Sequence, residues 1–353
     1  MRTAIATLSA ENLLHNLKVV KEQAKSSKII AMVKANAYGH GLRSVSSRLA
    51  PHVDLLGGAC IDEALALRKI GIQTPIILME GVFEPQELVI ASKERFHVVF
   101  HEEMQLKWLE ALQGVMPIHA WLKIDTGMGR LGFNPEKDWY DRLSSHPSIM
   151  PPVRIMSHLA CAEELLHPLN QRQLEIFHSF ITTLPPTELS LCNSAAIFLF
   201  PKHHYHYVRP GIALYGVSPI RADLGLKPVM SLQTTLISVR KMAKGSPVGY
   251  GAKFVCPEDM PVGIIAFGYG DGYPYSAKEG TPILVNGMRC QLVGTISMDM
   301  MTIDLRPCPG AKVGDPVILW GDKLAVEEVA ESTGTIPYHL LSAIQNRVKF
   351  HWN

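Results

Sequence analysis

From residue 9 to about 216 the chain alternates short apolar runs with stretches whose apolar residues recur at helical spacing. Ser9 can cap a first helix whose apolar face is Leu13, Leu17, Val20 and Ala24. Apolar runs at 29–35, 54–60, 75–81, 96–101, 117–125, 153–160, 189–194 and 207–215 read as strands. Helical patterns lie between most of them, for example Glu63 to Ile70, Glu102 to Leu112 and Asn170 to Leu184. Eight strands with intervening helices predict a closed (β/α)8 barrel of the TIM type. A doubly wound open sheet is the alternative, but it would need no eighth strand.

After Pro219 the texture changes. Short β-rich segments at 230–242, 261–267, 281–286, 289–296, 301–306 and 316–319 are separated by turns such as Asn286-Gly287 and Pro309-Gly310. Helices are expected at Val326 to Ser332 and near Tyr338 to Gln345. The expected class is therefore α/β plus β, with a barrel over 9–219 and a mainly β domain over 220–353.

Composition removes several functions from consideration. A net charge of +2 and a longest Lys/Arg run of two residues argue against a nucleic-acid partner. The N-terminus lacks the sustained apolar region of a signal peptide, and no stretch of about 18 apolar residues offers a membrane span. The six cysteines form no Cys-x-x-Cys pair, so reduced thiols in a cytoplasmic protein are expected.

Candidate chemistry gathers at the C-terminal ends of the predicted strands, where a parallel barrel carries its active site. Lys34 ends the run Ile29-Ile30-Ala31-Met32-Val33, and Tyr38 follows. A lysine at a buried strand end suits Schiff-base chemistry, although it could also snorkel to the rim. Asp125-Thr126-Gly127-Met128-Gly129-Arg130 follows strand five, His158 ends strand six, Asn193-Ser194 ends strand seven, and Arg209-Pro210-Gly211 interrupts strand eight. Singly these read as a surface arginine, a core histidine, a helix cap at Ser194 and a turn at Gly211. Together, a hydroxyl from Tyr38, a helix start at Ser194 and a backbone N–H at Gly211 suit one phosphate. Lysine plus phosphate cradle makes pyridoxal phosphate (PLP) the leading cofactor. The cluster His203-His204-x-His206 lies in a polar loop without a clear carboxylate or thiolate partner, so no metal is expected.

The run Val33-Lys34-Ala35-Asn36-Ala37-Tyr38-Gly39-His40-Gly41 resembles the cofactor-lysine signature of the bacterial alanine racemase family. Lys123 to Gly132, Val208 to Gly216, Val248-Gly249-Tyr250-Gly251 and Ser297-Met298-Asp299 resemble further motifs of that family, in order along the chain. The resemblance implies a homodimer in which residues 1–8 join the β domain. It implies that Lys34 holds PLP covalently and acts as base on the D-alanine side, with Tyr250 as base on the L-alanine side, reaching the partner's site. Tyr38, Ser194, Gly211, Ile212 and Tyr338 would hold the phosphate, and Arg209 would face the pyridine nitrogen. Arg130 and the backbone of Met298, the latter also given across the interface, would bind the substrate carboxylate. His158 would support Tyr250. Lys123 matches a lysine that some members carry carbamylated.

The implied activity is racemisation of alanine, supplying D-alanine for peptidoglycan or degrading it. Two bases on opposite faces are the direct way to remove an α-proton and return one to the other side. Rival readings are a racemase for serine or lysine, a non-catalytic PLP carrier and a PLP-dependent decarboxylase. The carrier resembles the barrel alone, and the decarboxylases usually place an acid where Arg209 stands here.

Overall fold

The computed structural model describes residues 3–112 and 117–353, so the first two of the residues expected to join the β domain lie outside the described residues. The chain divides into two compact units. One comprises Asn16–Leu214 with Ser218–Gly225; the other comprises the residues up to His15, Tyr215–Val217 and Leu226–Asn353.

In the first unit eight parallel strands close into a barrel: Lys28–Met32, Leu55–Gly58, Ile76–Leu78, His97–Phe100, Ile118–Lys123, Ile149–Met156, Leu189–Asn193 and Tyr207–Arg209. Closure comes from the last strand pairing with the first, Tyr207 opposite Lys28 and Val208 opposite Ile29. All eight predicted strands are present, and most are shorter than their apolar runs. The sixth begins at Ile149 rather than 153. It runs through Pro151 and Pro152, which lack the N–H of a regular ladder. The ladder absorbs them by a register shift, with His119 opposite Met150 and Trp121 opposite Arg154. The interior is packed by Ile30, Met32, Leu55, Ile77, Val99, Trp121, Met156 and Tyr207, so the barrel is a core and not a pore. The helix Ala10–Gln23 starts as expected, with Ser9 Oγ accepting the Asn12 N–H at 3.1 Å.

The second unit is built on a sheet of eight strands in the order Met260–Ile265, Met301–Asp304, Met288–Val293, Pro282–Val285, Pro316–Trp320, Met230–Met242, Ile5–Leu8 and Lys349–Trp352. Met230–Met242 also pairs with Met260–Ile265, which turns the sheet back on itself. Helices Val326–Thr333 and Pro337–Ser342 complete it. The last strand, Lys349–Trp352, was not expected: its polar and aromatic residues alternate over only four positions, and almost all are exposed. Among the described residues no helix is long and apolar enough to cross a membrane.

Polar side chains are packed near the N-terminal ends of the barrel strands. His97 and His119 stack with ring centroids 4.4 Å apart, and the Trp121 indole donates to His97 Nδ1 at 3.1 Å. Arg154 lies over Trp121 and pairs with Glu188 at 2.7 Å. Burial, helped by His119 and Arg154, pushes His97 down to about 2, so it is neutral and free to accept from the indole. Its pKa in the unfolded chain is the ordinary histidine value of about 6.5, so the unfolded state takes up the proton first. Stability is therefore expected to fall as pH drops below that value, at up to ~1.4 kcal/mol per pH unit for one such group. The urea midpoint should be lower at about pH 5 than at about pH 7.5, and the fall should be shallower in His97→Gln. A fall of equal steepness in the variant would remove His97 from this role.

Candidate active site

Lys34 follows directly on the first barrel strand, whose ladder ends with the Val33 N–H donating to the Gly57 carbonyl at 2.9 Å. The lysine is half-buried, not buried as the apolar run suggested, because the chain turns out of the barrel wall at this residue. The next four residues, Ala35, Asn36, Ala37 and Tyr38, have φ of 52, 54, 54 and 52°. None is glycine, and left-handed backbone costs an L-residue roughly 1–2 kcal/mol. The turn is held by Ala37 N–H to Val33 O at 2.8 Å, Gly39 N–H to Ala35 O at 3.1 Å and Gly41 N–H to Asn36 O at 3.0 Å. Asn36 Oδ1 accepts the Leu42 N–H at 2.8 Å, and buried His40 bonds the Tyr38 carbonyl through Nδ1 at 2.8 Å. A carbonyl only accepts, so His40 carries its proton on Nδ1; burial lowers its pKa to about 4 and keeps it neutral.

This turn delivers Tyr38 to Gly211. A methyl group on Gly211 would lie 2.3 Å from the Tyr38 hydroxyl oxygen, so only glycine permits the approach. Ser194 Oγ accepts the N–H groups of Gly211 at 2.8 Å and Ala213 at 3.3 Å. Ser194 is not the helix cap. Asn193 is, with Oδ1 accepting the Ala196 N–H at 3.0 Å, and Ser194 is the first residue of the helix Ser194–Leu199. Ile212 opens the 3-10 turn Ile212–Tyr215 beside them. The Tyr38 hydroxyl thus stands where a side chain at 211 would, and the Ser194 hydroxyl, which accepts the Gly211 and Ala213 N–H groups, keeps its own proton to donate; two hydroxyls beside a glycine backbone fit a phosphate.

Arg209 ends the eighth strand with its side chain buried. It donates to Ser190 Oγ at 2.7 Å and to the carbonyls of Ser157 at 2.6 Å and Leu191 at 3.0 Å. It also faces His158 Nδ1 at 3.2 Å. Burial pushes the guanidinium down to about 10, still charged at neutral pH. A guanidinium has no acceptor, so His158 Nδ1 accepts and its proton sits on Nε2. Burial and then the Arg209 charge hold His158 well below the usual histidine range. Lys123 is buried nearby and pushed down to about 8, first by burial and then by Arg209, Arg130 and Lys34. Arg130 is exposed on a loop organised by Asp125, whose carboxylate accepts the N–H groups of Gly127 and Met128 at 2.8 Å and Gly129 at 2.9 Å.

The barrel unit therefore holds Lys34, Tyr38, Arg130, His158, Ser194, Arg209, Gly211 and Ile212. Tyr250, Met298 and Tyr338 lie in the second unit. Tyr250 opens a short 3-10 turn, is 73% exposed, and accepts at its carbonyl from Thr295 Oγ1 at 3.1 Å. Met298 accepts the Gly270 N–H at its carbonyl at 2.8 Å, and Arg347 ties Asp299 to Asp271. Tyr338 sits in the helix Pro337–Ser342. The histidine cluster is used locally: His204 Nε2 bonds the Ile197 carbonyl and His206 Nδ1 accepts the Leu189 N–H. The reading from sequence gave no supporting role to Glu63, His40, Asn193 or the carboxylate of Asp125. All four bond mainly to backbone, and the one local signal was a glutamate early in the second barrel helix.

A family model described as alanine racemase, N-terminal domain, matches residues 8–219, and one described as alanine racemase, C-terminal domain, matches 229–352. The biosynthetic alanine racemase of Escherichia coli K12 is 44% identical over 99% of this chain and 98% of its own length. The crystal structure of the biosynthetic alanine racemase from Pseudomonas aeruginosa superposes with a TM-score of 0.97 at 42% identity, covering 100% of both chains. That of alanine racemase from Bartonella henselae with covalently bound pyridoxal phosphate gives a TM-score of 0.90 at 29% identity, again over 100% of each.

Gly211→Ala should displace the Tyr38 hydroxyl. Overpacking of this kind costs about 1–3 kcal/mol. The expected outcome is a lower melting temperature together with a smaller stabilisation by excess pyridoxal phosphate than in the parent. An equal stabilisation would mean that the phosphate is held elsewhere.

Proposed function

The chain belongs to the alanine racemase family, and from that premise we propose that it is an isomerase interconverting L- and D-alanine with pyridoxal phosphate held on Lys34. The cofactor, when bound, withdraws electrons from the substrate's α-carbon and makes its proton removable. Lys34 Nζ moves that proton on one face and the Tyr250 hydroxyl on the other. Tyr38, Ser194, Gly211, Ile212 and Tyr338 hold the phosphate, as the contact of Tyr38, Ser194 and Gly211 supports. Arg130 and the backbone N–H of Met298 bind the alanine carboxylate. The barrel over 9–219 carries the cofactor, and the β domain over 220–353 presents Tyr250 and Met298 to the site of a second copy in a homodimer.

Arg209 is the observation that carries the reading. It is buried, charged and bonded to neutral acceptors. With the cofactor bound, a guanidinium at its ring nitrogen would not favour protonation there as a carboxylate would, which would weaken electron withdrawal and disfavour transamination. This separates a racemase from a decarboxylase on a similar scaffold. Through Arg209, His158 keeps its proton on Nε2, ready to donate to the phenolic oxygen of Tyr250. The E. coli and P. aeruginosa relatives are called biosynthetic, which favours supply of D-alanine over its degradation. The sparse, unpaired cysteines favour the cytoplasm.

The test is α-proton exchange and optical inversion of both enantiomers in deuterated water. Both should invert, and Lys34→Ala should abolish inversion. Removing a positioned base costs roughly 10²–10⁴ in rate. Tyr250→Phe should therefore slow exchange from L-alanine far more than from D-alanine. Equal losses with both enantiomers would defeat the two-base assignment, and a PLP-bound protein that inverts neither would favour a carrier.

A further inference from the structure

Glu63 stands at the third position of the helix Ile61–Lys69, after the N-cap Cys60. Its carboxylate accepts two backbone N–H groups. One is its own helix start: Ala59 N–H to Oε2 at 2.7 Å, a bond that a glutamate in the first turn makes for local reasons. The other has no local reason. Ala35 N–H reaches Oε1 at 2.8 Å from the end of a different barrel strand. Ala35 is the residue after Lys34 and the first of the left-handed residues. Farther along, Ala37, Gly39 and Gly41 donate to carbonyls of the turn itself or of Val33 just before it. The turn thus begins on Glu63 and is self-supporting only afterwards. Carboxylate bonds to N–H are roughly twice as strong as neutral ones.

We propose that Glu63 is a positioning residue for Lys34. Its carboxylate fastens the strained turn to the neighbouring strand end and so fixes the direction in which the lysine leaves the barrel wall. A methyl group on Gly58, the last residue of that strand, would lie 3.5 Å from Oε2, so the carboxylate rests against the strand end itself. The proposal deepens the reading of Lys34 as the cofactor lysine and rests on it. It has a specific corollary. Without the bond, an alanine at 35 relaxes away from positive φ, whereas a glycine there has little reason to.

The test uses the full chain loaded with PLP, as parent, Glu63→Ala, Glu63→Gln, and each of these combined with Ala35→Gly. Two quantities are read: the rate at which bound PLP is lost on dilution into cofactor-free buffer, followed by visible absorbance, and the urea midpoint. Glu63→Ala should release PLP about tenfold faster or more, the equivalent of losing one charge-assisted bond. Glu63→Gln, whose amide oxygen still accepts one N–H, should fall between it and the parent. Ala35→Gly should restore much of the retention in either background. A purely structural glutamate would lower the urea midpoint without that rescue. Release rates unchanged by both Glu63 variants, or unaffected by Ala35→Gly in either, overturn the proposal. If Glu63→Ala does not fold, the glutamine pair carries the same comparison. A parent that racemises alanine with PLP while the Glu63 variants retain cofactor normally overturns only this proposal; a parent that takes up no PLP overturns the function with it.

Discussion

The site is organised around one buried cation. A charge in the protein interior costs several kcal/mol unless its hydrogen-bonding capacity is met. Among the described residues no carboxylate forms an ion pair with Arg209. Its charge is met instead by the Ser190 hydroxyl, two carbonyls and an imidazole nitrogen. Those acceptors come from two other strands, Ser157 and His158 just after the sixth, Ser190 and Leu191 within the seventh. Satisfying one guanidinium therefore ties three neighbouring strands together at once. His158 has its tautomer dictated, Lys123 loses affinity for its proton, and Gly211, two residues on, is held where Ser194 and Tyr38 meet it.

A second constraint works against stability rather than for it. Four consecutive left-handed residues after Lys34 store strain of roughly 4–8 kcal/mol, comparable to the whole net stability of an ordinary domain. Such a turn persists only when its surroundings over-determine it. Here the surroundings are the barrel wall beneath Val33, the Glu63 carboxylate on the Ala35 N–H, a buried neutral imidazole at His40 and the side chain of Asn36 closing onto Leu42. The strain has a geometric return. A right-handed continuation would lead the chain away along an ordinary helix, whereas the left-handed one brings the Tyr38 hydroxyl back to Gly211 within four residues of the lysine.

The barrel was legible because each strand is a short apolar run between turn residues, and both faces of a parallel strand are buried. Legibility failed where that link between pattern and burial breaks. The Pro151-Pro152 pair reads as a strand boundary, yet the ladder shifts register and runs on. Lys349–Trp352 alternates polar and aromatic residues as a strand does, but over only four positions and with side chains mostly exposed, too short a pattern to stand out. The candidate site residues stood out for a different reason: Lys34, His158 and Arg209 are polar side chains at the ends of apolar strands, a conflict visible in one dimension. What supports them was not. Glu63 to Ala35 and Asn193 to Ala196 are bonds from a side chain to a backbone N–H, and any glutamate or asparagine near a helix start looks alike in sequence. The left-handed turn is the clearest case, since its glycines stand after the strained residues and not at them.

The proposed division of labour between the units has a chemical logic. The candidate groups that the barrel brings together lie at or just beyond the C-terminal ends of its strands, and in the proposed reading would approach a substrate from one side. Inversion requires a proton donor and acceptor on the other side as well. A single strand-end cluster cannot supply it without a group that crosses the plane. Tyr250, 73% exposed, and Met298, 53% exposed, are held on the surface of the β unit by Thr295 and by the Gly268–Gly270 loop. An apolar or phenolic side chain left in water on a rigid loop gains from being covered. In the proposed dimer the same event that covers them delivers the second base. Racemisation would then be a property of the assembled pair, while cofactor binding would remain largely with the barrel, and the two could be separated by weakening the contact between copies without touching Arg209 or the turn behind Lys34.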